Sequence, residues 1–267
     1  MPPVFEPSLC VRHWDWSETS QVVSLFTRSH GVVRVLAKGS KRPGTPYSGG
    51  VEALTLGDAG IVFKSSSDLS LLTEWDLRDP MLHLRSSLGA FHAAHFIADT
   101  IRHLIIDADP HPVLFDRSVD ALKQLAGPTR VVHAVLARFQ WAALVEAGYK
   151  PELLVDVSTR QPLPDDAEVA FDPALGGATS QGVPGAWRLS AATLDVLRRL
   201  DASEPTRRRA PAESVERASR FLAAYTRWLV GRPLPTAALV FPDHAPVAPL
   251  TLDAREAATP SGRSPRP

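Results

Sequence analysis

Between Thr19 and Val51 the chain carries no Asp or Glu, yet the same interval holds Arg28, Arg34, Lys38, Lys41 and Arg42, with His30 among them. Residues 1 to 80 together carry eight basic and nine acidic side chains, so charge here is segregated rather than in excess. A one-signed edge suits a polyanion, because each Lys or Arg that meets a phosphate displaces a condensed counterion. The segment Lys38-Gly39-Ser40-Lys41-Arg42-Pro43-Gly44 reads as a mobile basic hairpin tip, and Tyr47 beside it offers a ring on which a base can stack. The alternative is a solvated loop whose charges do nothing.

A second pattern is the polar stripe His92, His95, Asp99 and His103, spaced three, four and four, with Arg102 alongside. Imidazoles and a carboxylate at that spacing share one side of a helix and suit a divalent metal. The stripe lies opposite the apolar positions Phe91, Ala94, Ala98, Ile101 and Ile105, which makes it a solvated or partner-facing surface first and a metal site second. Cys10 is the single cysteine, which excludes an internal disulfide and any thiolate-rich metal site. It stands in an apolar strand and reads as a buried thiol rather than a nucleophile. No Walker-type glycine loop and no G-x-S-x-G elbow is present. Asp165-Asp166 with Glu168 reads as a solvated acidic loop, and Arg207-Arg208-Arg209 as an exposed basic linker.

These residues must be held by elements. The 267 residues are 44% hydrophobic and 22% charged, and 29 basic side chains balance 29 acidic ones, so the chain is globular with no overall basicity. It shows neither a signal-peptide pattern nor an apolar run of membrane-spanning length, and a cytoplasmic protein is expected. Ser8–Trp14, Gln21–Thr27, Gly31–Lys38, Val51–Phe63 and Leu71–Leu77 read as strands separated by Ser29-His30-Gly31, Gly39 through Gly50 and Ser65-Ser66-Ser67. Five strands with no helix among them predict a small barrel over residues 1–80. From Asp79-Pro80 onward the period becomes helical. Helices are expected over Leu82–Ile106, from Pro110 or Pro112 to Leu125, over Arg130–Ala147, and, after an irregular stretch at 151–187, over Ala191–Leu200 and Glu213–Val230. Residues 81–150 and 188–241 then make one bundle, and the proline-rich 242–267 a disordered tail. The fold class is α+β.

The order Glu18-Thr19-Ser20, Val22-Val23, Leu25-Phe26-Thr27-Arg28, His30-Gly31, Val33, Val35, Ala37-Lys38-Gly39 closely resembles the opening of the RecO family of bacterial recombination mediators. Gly49-Gly50, the turn ending in Pro80, Tyr149-Lys150-Pro151-Glu152-Leu153, Phe171-Asp172-Pro173 with Gly176-Gly177, Ala223-Ala224-Tyr225 and Gly231-Arg232-Pro233-Leu234 extend the likeness over residues 4 to 240. The resemblance implies an N-terminal OB-fold barrel followed by an α-helical bundle, and no covalent catalysis. It implies binding of single- and double-stranded DNA, annealing of complementary strands, and RecA loading with RecR onto DNA covered by single-strand-binding protein. It further implies contact with the C-terminal tail of that protein and a nucleoid-associated location. Many relatives hold a structural zinc with four cysteines in the insert. At the corresponding positions this chain has Asp156, Thr159, Ser180 and Val183, so no zinc or other cofactor is expected, with Phe171 and Leu175 filling the space.

Arg28, Arg34, Lys38, Lys41, Arg42 and Tyr47 are the expected DNA contacts. Two other readings stay open at this point: an OB-fold module that contacts only protein, and a metal-dependent enzyme built on the His92/His95/Asp99/His103 stripe.

Overall fold

Alternating apolar residues in the first eighty positions close five strands on themselves: β1 (Val4–Asp15), β2 (Gln21–Thr27), β3 (Gly31–Ala37), β4 (Leu56–Val62) and β5 (Ser70–Asp79). The computed structural model describes residues 2–47, 51–64, 69–125, 129–164, 167–182, 184–202 and 210–242. Gly49-Gly50, Ser65-Ser66-Ser67, Gly127-Pro128, Asp165-Asp166, Val183, Arg207-Arg208-Arg209 and the tail beyond Pro242 lie outside the described residues. The strand order is β1-β2-β3-β5-β4, with β4 returning to β1 and a parallel β3–β5 pair among antiparallel neighbours. This is the OB-fold barrel followed by a helical domain. Cys10, Val23, Leu25, Val33, Val35, Ala59, Ile61, Leu72 and Trp75 fill its interior. Burial pushes the Cys10 thiol far above its ordinary value, which makes it an inert packing group.

The fourth strand begins five residues later than the alternation suggests. Residues 51–55 instead form a turn in which Leu54 N–H donates to Cys10 O (2.7 Å) and Cys10 N–H to Thr55 O (2.9 Å). These bonds meet β1 where its register shifts between Cys10 and Arg12, a bulge that re-aims the strand.

The helical part comprises α1 (Leu88–Leu104), α2 (Pro112–Gln124), α3 (Thr129–Glu146), α4 (Ala191–Asp201), α5 (Ala212–Val230) and the short α6 (Ala237–Val240). The periodicity beginning at Leu82 proves to be two elements. A 3-10 turn spans Leu82–Ser86, and Ser87 then caps α1 by accepting from Ala90 N–H (3.0 Å). The buried positions of α1 include Ala90, Ala93, Ala94, Ile97 and Ile101, whereas Leu88 is 70% exposed and Phe91 36%. Small alanines face inward because α1 is covered by the barrel and by other helices, and close approach needs short side chains. Leu9, Val11, Phe26 and Val32 on the outside of the barrel join α1 in one apolar cluster, so barrel and bundle share a core.

The stretch 151–187, where the sequence suggests irregular chain with one short hairpin around Val169–Phe171, holds a three-stranded sheet, β6 (Val169–Asp172), β7 (Gly177–Thr179) and β8 (Trp187–Leu189), in the order β7-β6-β8. Phe171 is buried against Phe221 (4.8 Å) and Tyr225 (5.1 Å), both edge-on. Leu175 does not share that work: it sits in the β6–β7 turn and is 59% exposed.

Candidate nucleic-acid interface

Cross-strand register defines the outer face of the barrel. Arg12 pairs with Ser24 and Ser24 with Arg34; Trp14 pairs with Val22 and Val22 with Leu36. Side chains alternate across a strand, so all six stand on the face away from the barrel interior. The β2 residues are short and covered, whereas Arg12, Trp14 and Arg34 are exposed. The result is a trough floored by Val22 and Ser24 and walled by β1 and β3, roughly 10 Å apart by the spacing of two strand intervals. Lys38, exposed, follows Leu36 on the β3 wall. The Arg12 guanidinium lies over the Trp14 ring at 5.7 Å, which positions a cation beside an exposed aromatic face. Such a surface can take phosphates on its rims and a base against the indole.

The sequence-derived contacts distribute unevenly over this geometry. Arg34 and Lys38 stand on the trough. Arg34 also lies 3.7 Å from Asp107, in the segment after α1. Arg28 is elsewhere: it sits in the β2–β3 turn and donates Nε and Nη2 to the two oxygens of Asp116 on α2, 3.0 Å each. That fork holds the Asp116 carboxyl below its usual range. Roughly 20 Å of strand separates Arg28 from Lys38. Lys41 and Arg42 lie past the end of β3, where the basic segment proves to be tied down. Lys41 N–H donates to Thr19 O (3.1 Å), Gly39 N–H to Ser20 Oγ (3.0 Å), and Ser40 Oγ–H to Gln21 Oε1 (2.9 Å). The Lys41 ammonium pairs with Asp15, while Lys38 and Arg42 have no ion pair among the described residues. Three of the five cations are thus met by carboxylates that an acid-free interval does not reveal.

Tyr47 is a correction. It is 5% exposed within the barrel core, and its hydroxyl donates to Leu72 O at 2.7 Å. Burial raises its pKa, and no face is open to a base. The aromatic ring of Trp14 is the one exposed on this face, at 39%. A signal existed: Arg12, Trp14 and Trp16 recur at period two and alternate with His13 and Asp15.

The histidine stripe comes apart. Asp99 is buried, with Oδ1 accepting from Arg102 (3.0 Å) and Oδ2 from Thr236 N–H (3.2 Å) and Thr236 Oγ–H (2.8 Å). His103 Nδ1 is 2.7 Å from Asp99 O, and His95 packs edge-on to Phe91 at 4.5 Å. The chain after α5 folds back over α1 and takes the carboxylate for itself. Among the described residues no group of three His, Cys, Asp or Glu side chains is arranged to hold a metal ion.

In the insert, Asp156, Thr159 and Ser180 converge. Asp156 Oδ1 accepts from Ser158 N–H (2.8 Å) and Thr159 N–H (3.0 Å). Its Oδ2 accepts from Ser180 N–H and Oγ–H (2.7 Å each) and Thr179 Oγ–H (3.3 Å). With no thiolate or imidazole in the set and both oxygens already engaged, these residues do not fit a zinc ion. Burial pushes the Asp156 carboxyl upward, but the hydrogen bonds from Ser180, Thr159 and Ser158 outweigh it and hold the group well below the usual carboxylate range. A depressed carboxyl contributes stability above its unfolded pKa of about 4, and loses it as pH falls through the folded value. Asp156→Ala is expected to cost about 2 kcal/mol at pH 7, the scale for stranding buried donors, and much less near pH 2. Urea melts at the two pH values check this; equal losses at both would remove the carboxylate from the account.

Comparisons with known proteins bear on the same regions. The family described as Recombination protein O N terminal matches residues 6–81, and Recombination protein O C terminal matches residues 85–238. DNA repair protein RecO of Rhodopirellula baltica is 33% identical over 203 residues, spanning 74% of this chain and 74% of its own length. DNA repair protein RecO of Anaeromyxobacter sp. (strain K) is 35% identical over 225 residues, spanning 79% of this chain and 87% of its own.

Proposed function

The chain belongs to the RecO family of DNA repair proteins, and from that footing we propose that it binds single- and double-stranded DNA along the β1–β3 trough and anneals complementary strands. With RecR it then promotes RecA loading onto DNA covered by single-strand-binding protein. The observation that supports the reading is the trough itself: Arg12, Arg34 and Lys38 on its rims, and the exposed Trp14 ring on the β1 wall, one cross-strand row along from Arg12. The face formed by strands 2 and 3 is where OB-folds take oligonucleotides. Weak, multi-point contact suits annealing, because strands held by separate phosphates remain free to search register. The protein acts as a cytoplasmic, nucleoid-associated mediator; no covalent step is assigned to it, and its insert is held by the Asp156 knot and the Phe171 packing rather than by zinc. Among the described residues no helix is long and apolar enough to cross a membrane.

The groove between α2 and α3 supports the acidic tail of single-strand-binding protein as a further partner. Val113, Ala121, Phe139 and Ala142 line it in a cavity of about 340 Å³, together with Arg117 and Arg138 and with the carboxylates of Asp120, Glu146 and Asp201, which a tail would have to keep its own charges away from. Apolar residues of a tail would seat on the lining while its carboxylates meet the two guanidiniums.

A second reading, a barrel that contacts only protein, draws on the pairing of Arg28, Arg34 and Lys41 with Asp116, Asp107 and Asp15. Fluorescence anisotropy with labelled single- and double-stranded oligonucleotides separates the two. Binding at low salt that falls linearly on a log–log salt plot supports the mediator; no binding at low salt supports the protein-only module.

A further inference from the structure

The rows of the trough continue past the end of β1. Trp16 N–H donates to Ser20 O (2.9 Å), which carries the β1–β2 register one pair beyond Asp15 and Gln21. Gly39 N–H donates to Ser20 Oγ (3.0 Å), which ties that pair to the end of β3. Alternation sets Trp16 in the row after Trp14, on the same face, and Trp16 is 63% exposed. The Arg12 guanidinium covers one face of the Trp14 ring at 5.7 Å, and Arg12 stands two residues before Trp14 on that strand face. The opposite face of the ring is accordingly turned along the strand toward the Trp16 row. We propose that Trp14 and Trp16 form a clamp that takes one unpaired nucleobase between their rings. The clamp rests on the DNA-binding reading above and deepens it, because it gives the trough a means of telling a single strand from a duplex.

The spacing suits one base. Residues two apart on an antiparallel strand are separated by about 6.8 Å. Planar groups in van der Waals contact lie about 3.5 Å apart, so the interval between the two rows is close to two stacking distances. Every base has a π-face, and such a clamp is indifferent to sequence. A paired base has its faces covered by its neighbours and must leave the stack before it can enter, at a cost in free energy. On the facing wall, Arg34 and Lys38 are four residues apart, roughly 14 Å of strand, one to each side of the Trp14–Val22–Leu36 row. They are placed to meet the phosphates that flank a clamped nucleotide. Of the nearby carboxylates, Asp15 alternates to the other face and pairs with Lys41, Asp107 lies 3.7 Å from Arg34, and Glu18 follows Trp16 in the turn before β2.

Three labelled probes of about 12 nucleotides, within the footprint of one OB-fold, test this in the full chain by anisotropy: a mixed-sequence single strand, the corresponding duplex, and a strand of abasic sites carrying one adenine. Trp16→Ala removes an exposed ring, and circular dichroism establishes that the variant is folded. The expected result is about tenfold weaker binding of the single strand, with duplex affinity and the log–log salt slope unchanged, because stacking releases no counterions. Trp16→Phe, which keeps a ring, is expected to retain most of the single-strand affinity. On the one-adenine probe, Trp14→Ala and Trp16→Ala are each expected to weaken binding about tenfold, since a single base engages both rings. If either ring can be removed without loss on that probe, the clamp is overturned. Equal affinity of wild type and Trp16→Ala for the single strand, or equal weakening on single strand and duplex, overturns it as well. If the wild-type chain binds neither the single strand nor the duplex at low salt, it is the DNA-binding reading that falls.

Discussion

Reversing charge at Arg12 and Lys38 together is expected to weaken binding of a single-stranded oligonucleotide by about 100-fold at moderate salt, and to make the log–log salt slope shallower by about 1.4, two phosphates' worth. Both side chains are exposed and lack an ion pair among the described residues, so the fold should tolerate Arg12→Glu with Lys38→Glu. Two companions distinguish contact from general charge. Arg28→Gln removes a cation already engaged by Asp116 at the other end of β3, and should change affinity less than about threefold. Trp14→Ala should cost about 1–3 kcal/mol of binding with the salt slope unchanged, because stacking releases no counterions. Anisotropy titrations at several salt concentrations read all three. Wild-type affinity in the Arg12/Lys38 double variant would falsify the trough as the DNA platform, whatever the family membership.

The second large effect concerns how the barrel is held to the bundle. Gly31 opens β3 at φ +66°, and a Cβ added there would lie 2.1 Å from Asp109 O and 2.6 Å from Asp109 C. Those are backbone atoms of the loop that leaves α1, so no side chain can swing aside. The same junction carries the bond from Ala108 N–H to Val32 O (3.0 Å) and the Arg34–Asp107 pair. Gly31→Ala must therefore both strain φ and push the two domains apart. We expect a loss of about 3 kcal/mol or more, lowering the melting temperature by roughly 6–12 °C for a chain of this size. Gly39→Ala is the control: φ is +73°, but the nearest atom to the new Cβ is Arg42 Cδ at 3.8 Å. Only the strain of about 1–2 kcal/mol should appear. Equal melting temperatures for the two variants would show that the Asp109 contact gives way without cost.

Much of the architecture was legible because its signals are local. The β2–β3 hairpin falls at Gln21–Thr27 and Gly31–Ala37, the residues whose Val, Leu and Phe content marks them as strands. Pro112 opens α2 where a proline without an N–H costs nothing. The misjudged stretches are those where a distant chain segment intervenes. Residues 51–55 have strand composition, but their backbone is taken by the bulge at Cys10. Of the apolar face expected for α1, Ala94, Ala98, Ile101 and Ile105 are buried, but Phe91 is 36% exposed, because contact on several sides brings short alanines inward. The candidate site divides in the same way. Lys38 and Arg34, which charge alone marks out, stand exposed on the trough; Tyr47 is buried while Trp14 faces outward; and Arg28 is held by Asp116 on α2.

From the sequence alone followed the succession of barrel, bundle and insert, the family, and the concentration of positive charge near β3. Each rests on residue type and short-range period, which survive in a linear string. Only the tertiary structure decided which cations are free, which aromatic ring faces outward, and that Asp99 belongs to Thr236 rather than to a metal. Those outcomes depend on partners far away along the chain, eighty-eight residues in the case of Arg28 and Asp116, and Coulomb and hydrogen-bond energies follow distance in space rather than separation in sequence.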